Sequence, residues 1–432
     1  MRLAQLEPDS GVLQLLHRKG SKGDDDDEDE ELLHGRQHRP PPGGRVEGVL
    51  IDLTPRSPVK VGVPCADDKS IAPSTTVSHG TFARELSDRV ELSLDEPMLA
   101  LAYRRLHRKA AVIATWYLLS YVLMLTATGW IEGTVACISL AFAMAAVGFN
   151  IQHDANHNAF FPAGGSKRLT AANRTAGWTI HAIGASSSRW IDGHVFAHHG
   201  SPNVVGKDAD IELRPFARLA PSQAHHPWHR LQHLYLWPLY GFTAVSIIVA
   251  DVVCTITESF TGDRRGRRPT AHDYLVLMVT KSIFLAAMLG VPLLLHPAWV
   301  VAIGATAVLT ITGVLLGIVF QLAHAVTEAS FCEDGDRPEG RWHEWQVRTS
   351  VDFCHGGGAG ERALTWFIGG LNYQTEHHLF PRLPHTAYPM VASVVADVCT
   401  EHSIRHHVQP NLGLALRSHY RHVRQLGRPL PV

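Results

Sequence analysis

The sequence predicts an all-α integral membrane protein with four transmembrane helices in two hairpins and a cytoplasmic helical cap. Three observations lead to this fold class: four long apolar runs, cations that flank them on one side only, and histidine clusters that follow the second and fourth runs. The 432 residues include 28 histidines and only six cysteines, so metal chemistry here depends on imidazole more than on thiolate. The formal net charge of -1 excludes the strongly basic surface of a nucleic-acid-binding protein.

The N-terminal segment, residues 1–95, is predicted to be mostly disordered. It holds eight consecutive acidic residues from Asp24 to Glu31 and a proline-rich stretch at 38–44, without a sustained period of 2 or 3.6. Such a segment buries too little apolar surface to offset the entropy lost on ordering. The acidic run indicates a solvated tail, with a partner-docking role as the alternative. Residues 96–400 are assigned to a membrane domain and 401–432 to a C-terminal tail.

Four apolar runs are long enough to cross a bilayer, which takes roughly 20 residues. They cover residues 110–131, 133–152, 274–295 and 298–320. Lys281 is the only formal charge within them, and it lies near one end, where its stem can reach the interface. Because neighbouring runs are so close in sequence, they predict two tight hairpins with turns near Glu132 and at His296–Pro297.

Cations lie on the outer flanks of both hairpins, at 104–109 and 264–268, and the short turns carry none. The positive-inside rule therefore places both termini, the long middle segment and the histidine clusters in the cytoplasm. Residues 234–250 are uncharged but short for a span. If they crossed the membrane, the cations at 264–268 would lie on the opposite side from those at 104–109. An interfacial or re-entrant helix is preferred here, with a fifth span as the alternative.

Histidines cluster directly after the second and fourth apolar runs. The motifs HDANH and HVFAHH each contain two histidines at i and i+4, a spacing that directs two imidazoles from one helix face at one ion. In the second motif an adjacent histidine points about 100° around the helix and can reach a second ion. A third motif, QTEHHLFP, and one histidine beyond the fourth run complete the set. The eight residues are His153, His157, His194, His198, His199, His324, His377 and His378.

Eight imidazoles from four places on one side of a membrane are enough for two metal ions with about four ligands each. Imidazole suits zinc, copper, iron or nickel, so the ligand type leaves the metal open. A site at a membrane surface with redox access and an apolar volume beside it favours iron and dioxygen. The alternative is that each histidine is only a hydrogen-bonded polar or surface residue, which suits one cluster better than three.

The ordered set HDANH, HVFAHH and QTEHHLFP, together with the two hairpins, resembles the three histidine boxes of the membrane fatty acid desaturase family. The resemblance runs from about Leu101 to Tyr388, and the surrounding sequence is similar to front-end and acyl-lipid desaturases of the linoleoyl-CoA desaturase type, without a fused cytochrome b5 domain. It implies a di-iron centre, two Fe bound by the eight histidines, with Gln374 as a weaker or water-mediated ninth group. No catalytic residue beyond the metal centre is implied.

The resemblance further implies an O2-dependent desaturase that introduces a C=C bond into the acyl chain of a lipid or an acyl-CoA. Electrons would come from a separate ferredoxin or cytochrome b5. Three aromatic residues near the boxes are candidate walls of a substrate channel, or plain packing residues: Trp190, Phe196 and Tyr373. Three acidic residues that abut box histidines are candidates for orienting imidazole rings, or simply solvated: Asp154, Asp192 and Glu376.

Two other functions are weighed against desaturation. A fatty acyl or lipid hydroxylase would use the same scaffold and metal site, and only its product would differ. A histidine-rich metal transporter should carry polar ligands within its spans, near the bilayer midplane. Here the histidines lie outside the predicted spans, which disfavours transport.

Overall fold

A computed structural model describes residues 79–162, 166–261, 268–333 and 341–429, so the acidic run and the proline-rich stretch lie outside the described residues. The described part is helical, as predicted. Its α-helices are α1 His79–Ser93, α2 Glu96–Thr126, α3 Trp130–Val147, α4 His153–Asn156, α5 Lys167–Gly177, α6 Ser187–Trp190, α7 Gln232–Leu239, α8 Thr243–Thr261, α9 Ala271–Leu285, α10 Val291–Leu293, α11 Ala298–His324, α12 Trp342–Thr349, α13 Ala359–Phe367, α14 Gln374–Leu379, α15 Tyr388–Glu401 and α16 Leu412–Leu426.

Other helical turns and four very short strands complete the described fold. The π-helical segments are Gly148–Gln152, Ile191–His198 and Ala286–Gly290, and the 3₁₀ segments are Trp178–Ile183, Ala209–Ile211, Pro227–Leu231, Tyr240–Phe242 and His385–Ala387. The strands are β1 Val204–Val205, β2 Cys332–Glu333, β3 Asp352–Phe353 and β4 Val408–Gln409. β1 pairs with β2 and β3 pairs with β4, both in parallel.

Five continuous helical stretches of the described chain are long and apolar enough to cross a membrane. Four of them overlap the predicted spans, two of which end a few residues earlier than predicted, and the other contains residues 234–250. Large apolar side chains such as Leu119 and Ile283 remain exposed on their outer faces, as expected for contact with lipid. The five stretches are Glu96–Thr126, Trp130–Asn156, Pro227–Glu258, Ala271–Leu293 and Ala298–His324.

The first hairpin turns at residues 127–129, slightly before the predicted position near Glu132. The reason is that Glu132 caps α3, since its carboxylate accepts hydrogen bonds from the N–H groups of Thr128 (3.1 Å) and Gly129 (3.3 Å). The second hairpin turns at 294–297, as predicted. The His296 imidazole donates to the carbonyl oxygen of Leu125 (3.0 Å), so the two turns meet at one end of the bundle.

The ammonium group of Lys281, predicted to be solvated at the membrane interface, is paired inside the protein. It is buried and lies 2.6 Å from a carboxylate oxygen of Asp251, on the helix Pro227–Glu258. It also donates to the carbonyl oxygen of Gly184. A buried ammonium group needs such partners, because an unpaired charge in an apolar region costs several kcal/mol. Lys281 therefore ties the Pro227–Glu258 helix to the second hairpin.

Folded structure begins before residue 96, which corrects the boundary of the predicted disordered segment. Helix α1 buries Phe82, Leu86 and Val90, spaced at i, i+4 and i+8, against Val391 and Val395 of α15. Only residues 79–95 of that segment are described, and this apolar stripe explains why they fold.

The C-terminal tail predicted at 401–432 contains the folded helix α16. Asn411 caps it by accepting from the N–H of Leu414 (3.0 Å). The buried His419 donates from Nδ1 to the carbonyl oxygen of Ala325 (2.7 Å), and its Nε2 lies 2.7 Å from the hydroxyl of Tyr240. These contacts fasten α16 beneath the end of α11.

A turn at Gly369 and Gly370 sets the third histidine box against the first. Both residues have left-handed backbone angles, with φ of +66° and +69°. A Cβ atom on Gly369 would lie 2.2 Å from the carbonyl oxygen of Phe149, at the π-helical turn before the first box. Only glycine permits this approach, so the turn fixes the distance between the two boxes.

Replacing Gly369 with alanine is expected to prevent stable folding, because the methyl group would collide with the backbone of Phe149 and the left-handed angle alone costs about 1–2 kcal/mol. Yield of monodisperse protein and its thermal unfolding temperature would measure the effect. Gly357→Ala is the matched control, since Gly357 has φ +73° but open space around its Cβ position. Equal behaviour of the two variants would contradict the close approach at Gly369.

Candidate metal centre

The first histidine box follows a π-helical turn at Gly148–Gln152, inside the long helix Trp130–Asn156. Such turns are frequent at functional sites. His153 and His157 lie directly after it, 2% and 4% exposed, with ring centroids 4.8 Å apart. The i, i+4 spacing thus brings both imidazoles to one buried face, as predicted.

The second box lies on the π-helical segment Ile191–His198. The rings of His194 and His198 are nearly parallel, with centroids 5.1 Å apart. Trp190 stacks on His194 at 4.4 Å. The Nε2 atom of His199 lies 3.3 Å from that of His194, with the two rings at 80°. The prediction that the adjacent histidine points away was therefore wrong, because the wider π-helical turn brings residues i and i+5 to one face.

The third box forms α14, and the single histidine beyond the fourth predicted span is the last residue of α11. His377 and His378 are fully buried, and His324 is 4% exposed. The Nε2 atom of His378 lies 3.1 Å from Nε2 of His324. Residues from four separate helical regions therefore converge below the ends of both hairpins.

Most of the box histidines fall into two groups of ligating atoms. His194 and His198, which were predicted to face one ion, lie in different groups, and a further group joins both of them with Asp210. Within each group, one ligand atom from every residue lies within 4.8 Å of all the others. His199 lies between the groups, with its ring 4.6 Å from that of His377 and 4.3 Å from that of His378. The amide nitrogen of Gln374 lies 2.9 Å from His324 Nε2. The first group is His153, His157, His194 and His377, and the second is His198, His324 and His378.

The Nδ1 atoms of four of these imidazoles form hydrogen bonds with neighbouring groups. Such contacts fix the tautomer and the orientation of a histidine that binds a metal. His198 Nδ1 donates to Asp208 (3.0 Å), His324 Nδ1 to the carbonyl oxygen of Thr349 (2.9 Å), His378 Nδ1 to the side-chain oxygen of Gln346 (2.7 Å) and His377 Nδ1 to the hydroxyl of Tyr388 (3.1 Å).

Donation from Nδ1 leaves Nε2 of a neutral imidazole with a lone pair. The Nε2 atom of His378 lies 3.1 Å from that of His324 and 3.2 Å from that of His198. When all three imidazoles are neutral, lone pairs that face each other at this distance repel, and either a proton or a metal ion among them removes the repulsion. In the first group, Nε2 of His153 and His377 are buried without a hydrogen bond among the described residues. Both groups therefore fit transition-metal ions.

The pKa values of the box histidines also favour metal binding. Burial and the neighbouring imidazoles hold the pKa of four histidines well below the usual value, and neutral imidazole is the form that binds metal. Burial also lowers the pKa of His198, but the carboxylates of Asp208 and Asp210 raise it more, to about 9. A metal ion at this position competes with that proton. The four lowered residues are His157, His199, His377 and His378.

Asp154 was predicted to orient a box histidine, but it forms no direct hydrogen bond with His153. One of its oxygens lies 3.8 Å from His153 Nδ1, too far for a hydrogen bond. The other accepts from the backbone N–H (3.1 Å) and Nδ1 (2.8 Å) of His385. His385 Nε2 in turn lies 2.8 Å from the ammonium nitrogen of Lys109. A buried chain of polar contacts thus connects α2 with the first box.

Two other predicted positions need correction. Glu376 lies beside Asp352 and His355 and in neither group of box histidines. It was predicted to orient a ligand imidazole, but one residue along a helix rotates a side chain by about 100° away from His377. Tyr373, predicted as a channel wall, stacks on His355 with ring centroids 3.9 Å apart.

A cavity of about 830 Å³ opens beside the second box. Its wall includes His194 together with Asp192 and with Trp190 and Phe196, two of the three candidate channel residues. The charge of Asp192, which was predicted to orient an imidazole, acts on Arg189. Most of the lining is apolar and includes Leu316 and Phe320 from the second hairpin and Ile180 from the segment between the hairpins. The volume lies in the range of small-molecule sites, about 300–1,000 Å³.

Sequence reasoning missed the groups that orient the imidazoles. Asp208 had a local signal, because it follows the second box closely. Gln346, Tyr388 and His385 had none, since their partners are distant in sequence or lie in another element. Their roles depend on how the helices pack.

Comparison with known proteins agrees with the motifs. The family profile described as Fatty acid desaturase matches residues 128–410. The chain is 32% identical over 344 residues to the sn-1 linoleoyl-lipid 6-desaturase of Arthrospira platensis, covering 78% of this chain and 90% of that protein. It is 30% identical to the enzyme of the same description from Synechocystis sp., covering 80% and 96%. The acyl-lipid (8-3)-desaturase of Physcomitrium patens is 32% identical, covering 74% and 66%.

Proposed function

Because the chain belongs to the fatty acid desaturase family, we propose that it introduces a C=C bond into an acyl chain that is linked to a membrane lipid. The protein is an oxidoreductase with apolar helices suited to a bilayer and histidine clusters able to bind metal. The observation that carries the proposal is the pair of imidazole groups beside a mostly apolar cavity.

Two iron ions are the metals we propose for this centre. When bound, they supply the oxidising power, drawn from O2 and two electrons, that breaks unactivated C–H bonds. The chain contributes buried, neutral imidazoles whose orientation is fixed by Asp208, Gln346, Thr349 and Tyr388. The proposed ligands are His153, His157, His194 and His377 for one ion and His198, His324 and His378 for the other, with His199 between them and Gln374 beside the second.

The cavity beside His194 is the proposed path of the acyl chain. Trp190 and Phe196 belong to its wall, so their bulk limits how far a chain extends past the imidazoles. The carbon pair that reacts is then set by the depth of insertion, which is a matter of positioning.

Charges along the cavity favour a lipid-linked chain over an acyl-CoA. The lining contains three cations, and two of them are already paired, Arg189 with Glu258 (2.5 Å) and Arg214 with Glu212 (2.6 Å). Of the other carboxylates on the wall, Asp251 is paired with Lys281 (2.6 Å). The described lining therefore carries no excess of cations to bind the phosphates of coenzyme A, and the relatives compared above are described as desaturases of lipid-linked chains.

Reconstitution of the purified protein tests this proposal. Vesicles that contain an isotope-labelled glycerolipid would be compared with the same acyl chain supplied as acyl-CoA, each with a reductase and either ferredoxin or cytochrome b5. We expect a desaturated product that remains on the glycerolipid. We also expect the reaction to proceed with electrons from one of these two separate donors. A product formed on acyl-CoA before any lipid is labelled would overturn the proposed carrier, and a hydroxylated product would overturn desaturation.

We further propose four spans, with both termini and the metal centre in the cytoplasm. The two hairpin turns meet at His296 and Leu125, and the opposite ends of α3 and α11 meet at the histidines. This arrangement supports an even number of crossings between residues 157 and 271, because it puts both of them at the same end of the helical bundle. Contacts of the Pro227–Glu258 helix with Phe216, His419 and Arg189 support a position at the cytoplasmic interface.

Cysteine labelling checks this topology. Thr128→Cys and His272→Cys, each in a background without native cysteines, would be exposed to a membrane-impermeant maleimide in intact cells and in inverted vesicles. We expect position 128 to be labelled only from outside and position 272 only from the cytoplasm, because four spans put the hairpin turn and the start of α9 on opposite sides. Labelling of both positions from the same side would indicate five spans.

A further inference from the structure

A second cluster of metal-binding side chains lies next to the third histidine box. Asp352 is on β3, His355 follows that strand, and Glu376 is on α14. One ligand atom from each lies within 4.8 Å of the other two. Both carboxylates are fully buried, and the His355 side chain is 20% exposed. None of the three belongs to the two groups of box histidines.

Glu376 is the unusual member of this cluster. Both of its carboxylate oxygens are buried without a hydrogen-bond partner among the described residues. An ionised carboxylate in that state is very costly, so it needs either a proton or a cation. The other members of the cluster are the carboxylate of Asp352, which repels a charge on Glu376, and the imidazole of His355.

Asp352 is held in the ionised form. One oxygen accepts from the backbone N–H of Thr375 (2.8 Å), and the other lies 2.6 Å from Nε2 of His406. A carboxylate that binds a metal is usually held in place by hydrogen bonds of this kind from outer groups. Two carboxylates within 4.8 Å, one of them supported in this way, make a strongly negative buried position.

The imidazole of His355 is also fixed in place. Tyr373 stacks on it with ring planes 16° apart, and its Nε2 lies 3.1 Å from the carbonyl oxygen of Asn372. Two carboxylates and one imidazole form a mixed oxygen and nitrogen donor set, which suits divalent ions such as zinc, manganese or iron.

We propose that Asp352, His355 and Glu376 bind one divalent transition-metal cation, separate from the ions of the box histidines. This ion neutralises the two carboxylates and joins β3 to α14. Because β3 pairs with β4 and Asp352 contacts His406, the site also connects the third box with the C-terminal segment. Its role is structural, since the cavity does not include these residues among its described lining.

Metal content of the purified full-length protein tests the site. Inductively coupled plasma mass spectrometry would count zinc, manganese and iron per chain in the wild type and in Glu376→Gln, with the exposed Asp397→Asn as the matched control. We expect Glu376→Gln to lose one equivalent and to unfold at a lower temperature, and Asp397→Asn to change neither. The competing explanation is that Glu376 is protonated and donates a hydrogen bond to Asp352. The side-chain amide of glutamine could donate the same hydrogen bond. Equal metal content and equal or higher stability in Glu376→Gln would therefore overturn the proposal.

Two further variants keep the test independent of folding and of the proposed catalytic centre. His355→Ala removes a partly exposed ligand, and we expect the same loss of one equivalent. A His355→Ala protein that keeps all its metal would contradict the site even if Glu376→Gln failed to fold. His377→Ala should lose metal from the box histidines but retain the equivalent that Glu376→Gln loses, so failure of either site is recognised separately.

Discussion

Replacing His377 with alanine is expected to abolish desaturation, a loss larger than the roughly 10- to 100-fold effect of changing an outer partner of a metal ligand. His377 belongs to the first imidazole group, its Nε2 is buried without a hydrogen bond among the described residues, and its ring adjoins those of His153, His157 and His199. Its removal leaves the first ion short of a ligand. Fatty acid analysis and iron content of the purified variant would measure the effect.

The control for this variant is His272→Ala, because His272 is exposed at the start of α9. It should keep full activity, and both proteins should reach the membrane fraction in equal amounts. Several other histidines outside the boxes are unsuitable controls. His229 is buried against the carbonyl oxygen of Pro215, and His406 contacts Asp352. Retained desaturation in His377→Ala would count directly against the assigned metal centre.

Replacing Asp208 with asparagine is expected to lower activity by about 10- to 100-fold and to weaken iron binding at the second group. Asp208 is fully buried and accepts hydrogen bonds from His198 Nδ1 and from the N–H groups of Asn203 (2.7 Å) and Asp210 (2.9 Å). Asparagine keeps the size of the side chain but removes the charge that orients and polarises His198. Turnover and iron content would be measured on the same preparation.

Asp397→Asn is the matched control for Asp208, since Asp397 is exposed on α15 and undergoes the same chemical change. We expect it to behave as the wild type. If Asp208→Asn retained both full turnover and full iron content, the hydrogen bond from His198 would not support a metal ligand.

The features that were predictable from sequence are those set by local spacing. The apolar runs predicted the two hairpins, and the i, i+4 spacing of His153 and His157 predicted that both imidazoles lie on one helix face. Length alone could not decide the role of Pro227–Glu258, because a long apolar helix can cross a bilayer or lie along it. Its contacts with Arg189 and His419 appear only in three dimensions.

Other features were hidden because sequence neighbours need not share surroundings. Glu376 adjoins His377 in the chain, yet it faces Asp352 and His355. Gln346 lies far from His378 in sequence, yet its side chain fixes that imidazole. Helix α1 was missed although its apolar residues had helical spacing, because it follows directly on a long polar segment. Packing between distant elements determines each of these positions.

The most direct test of the central claim is the fatty acid profile of a host that expresses the protein together with a suitable electron donor. Gas chromatography and mass spectrometry with derivatisation would locate any new double bond. We predict one new lipid-linked fatty acid that has lost two hydrogens at a single position, present with the wild type and absent with His377→Ala. A product that has gained oxygen instead, or an unchanged profile from iron-loaded protein with a functioning donor, would contradict the account.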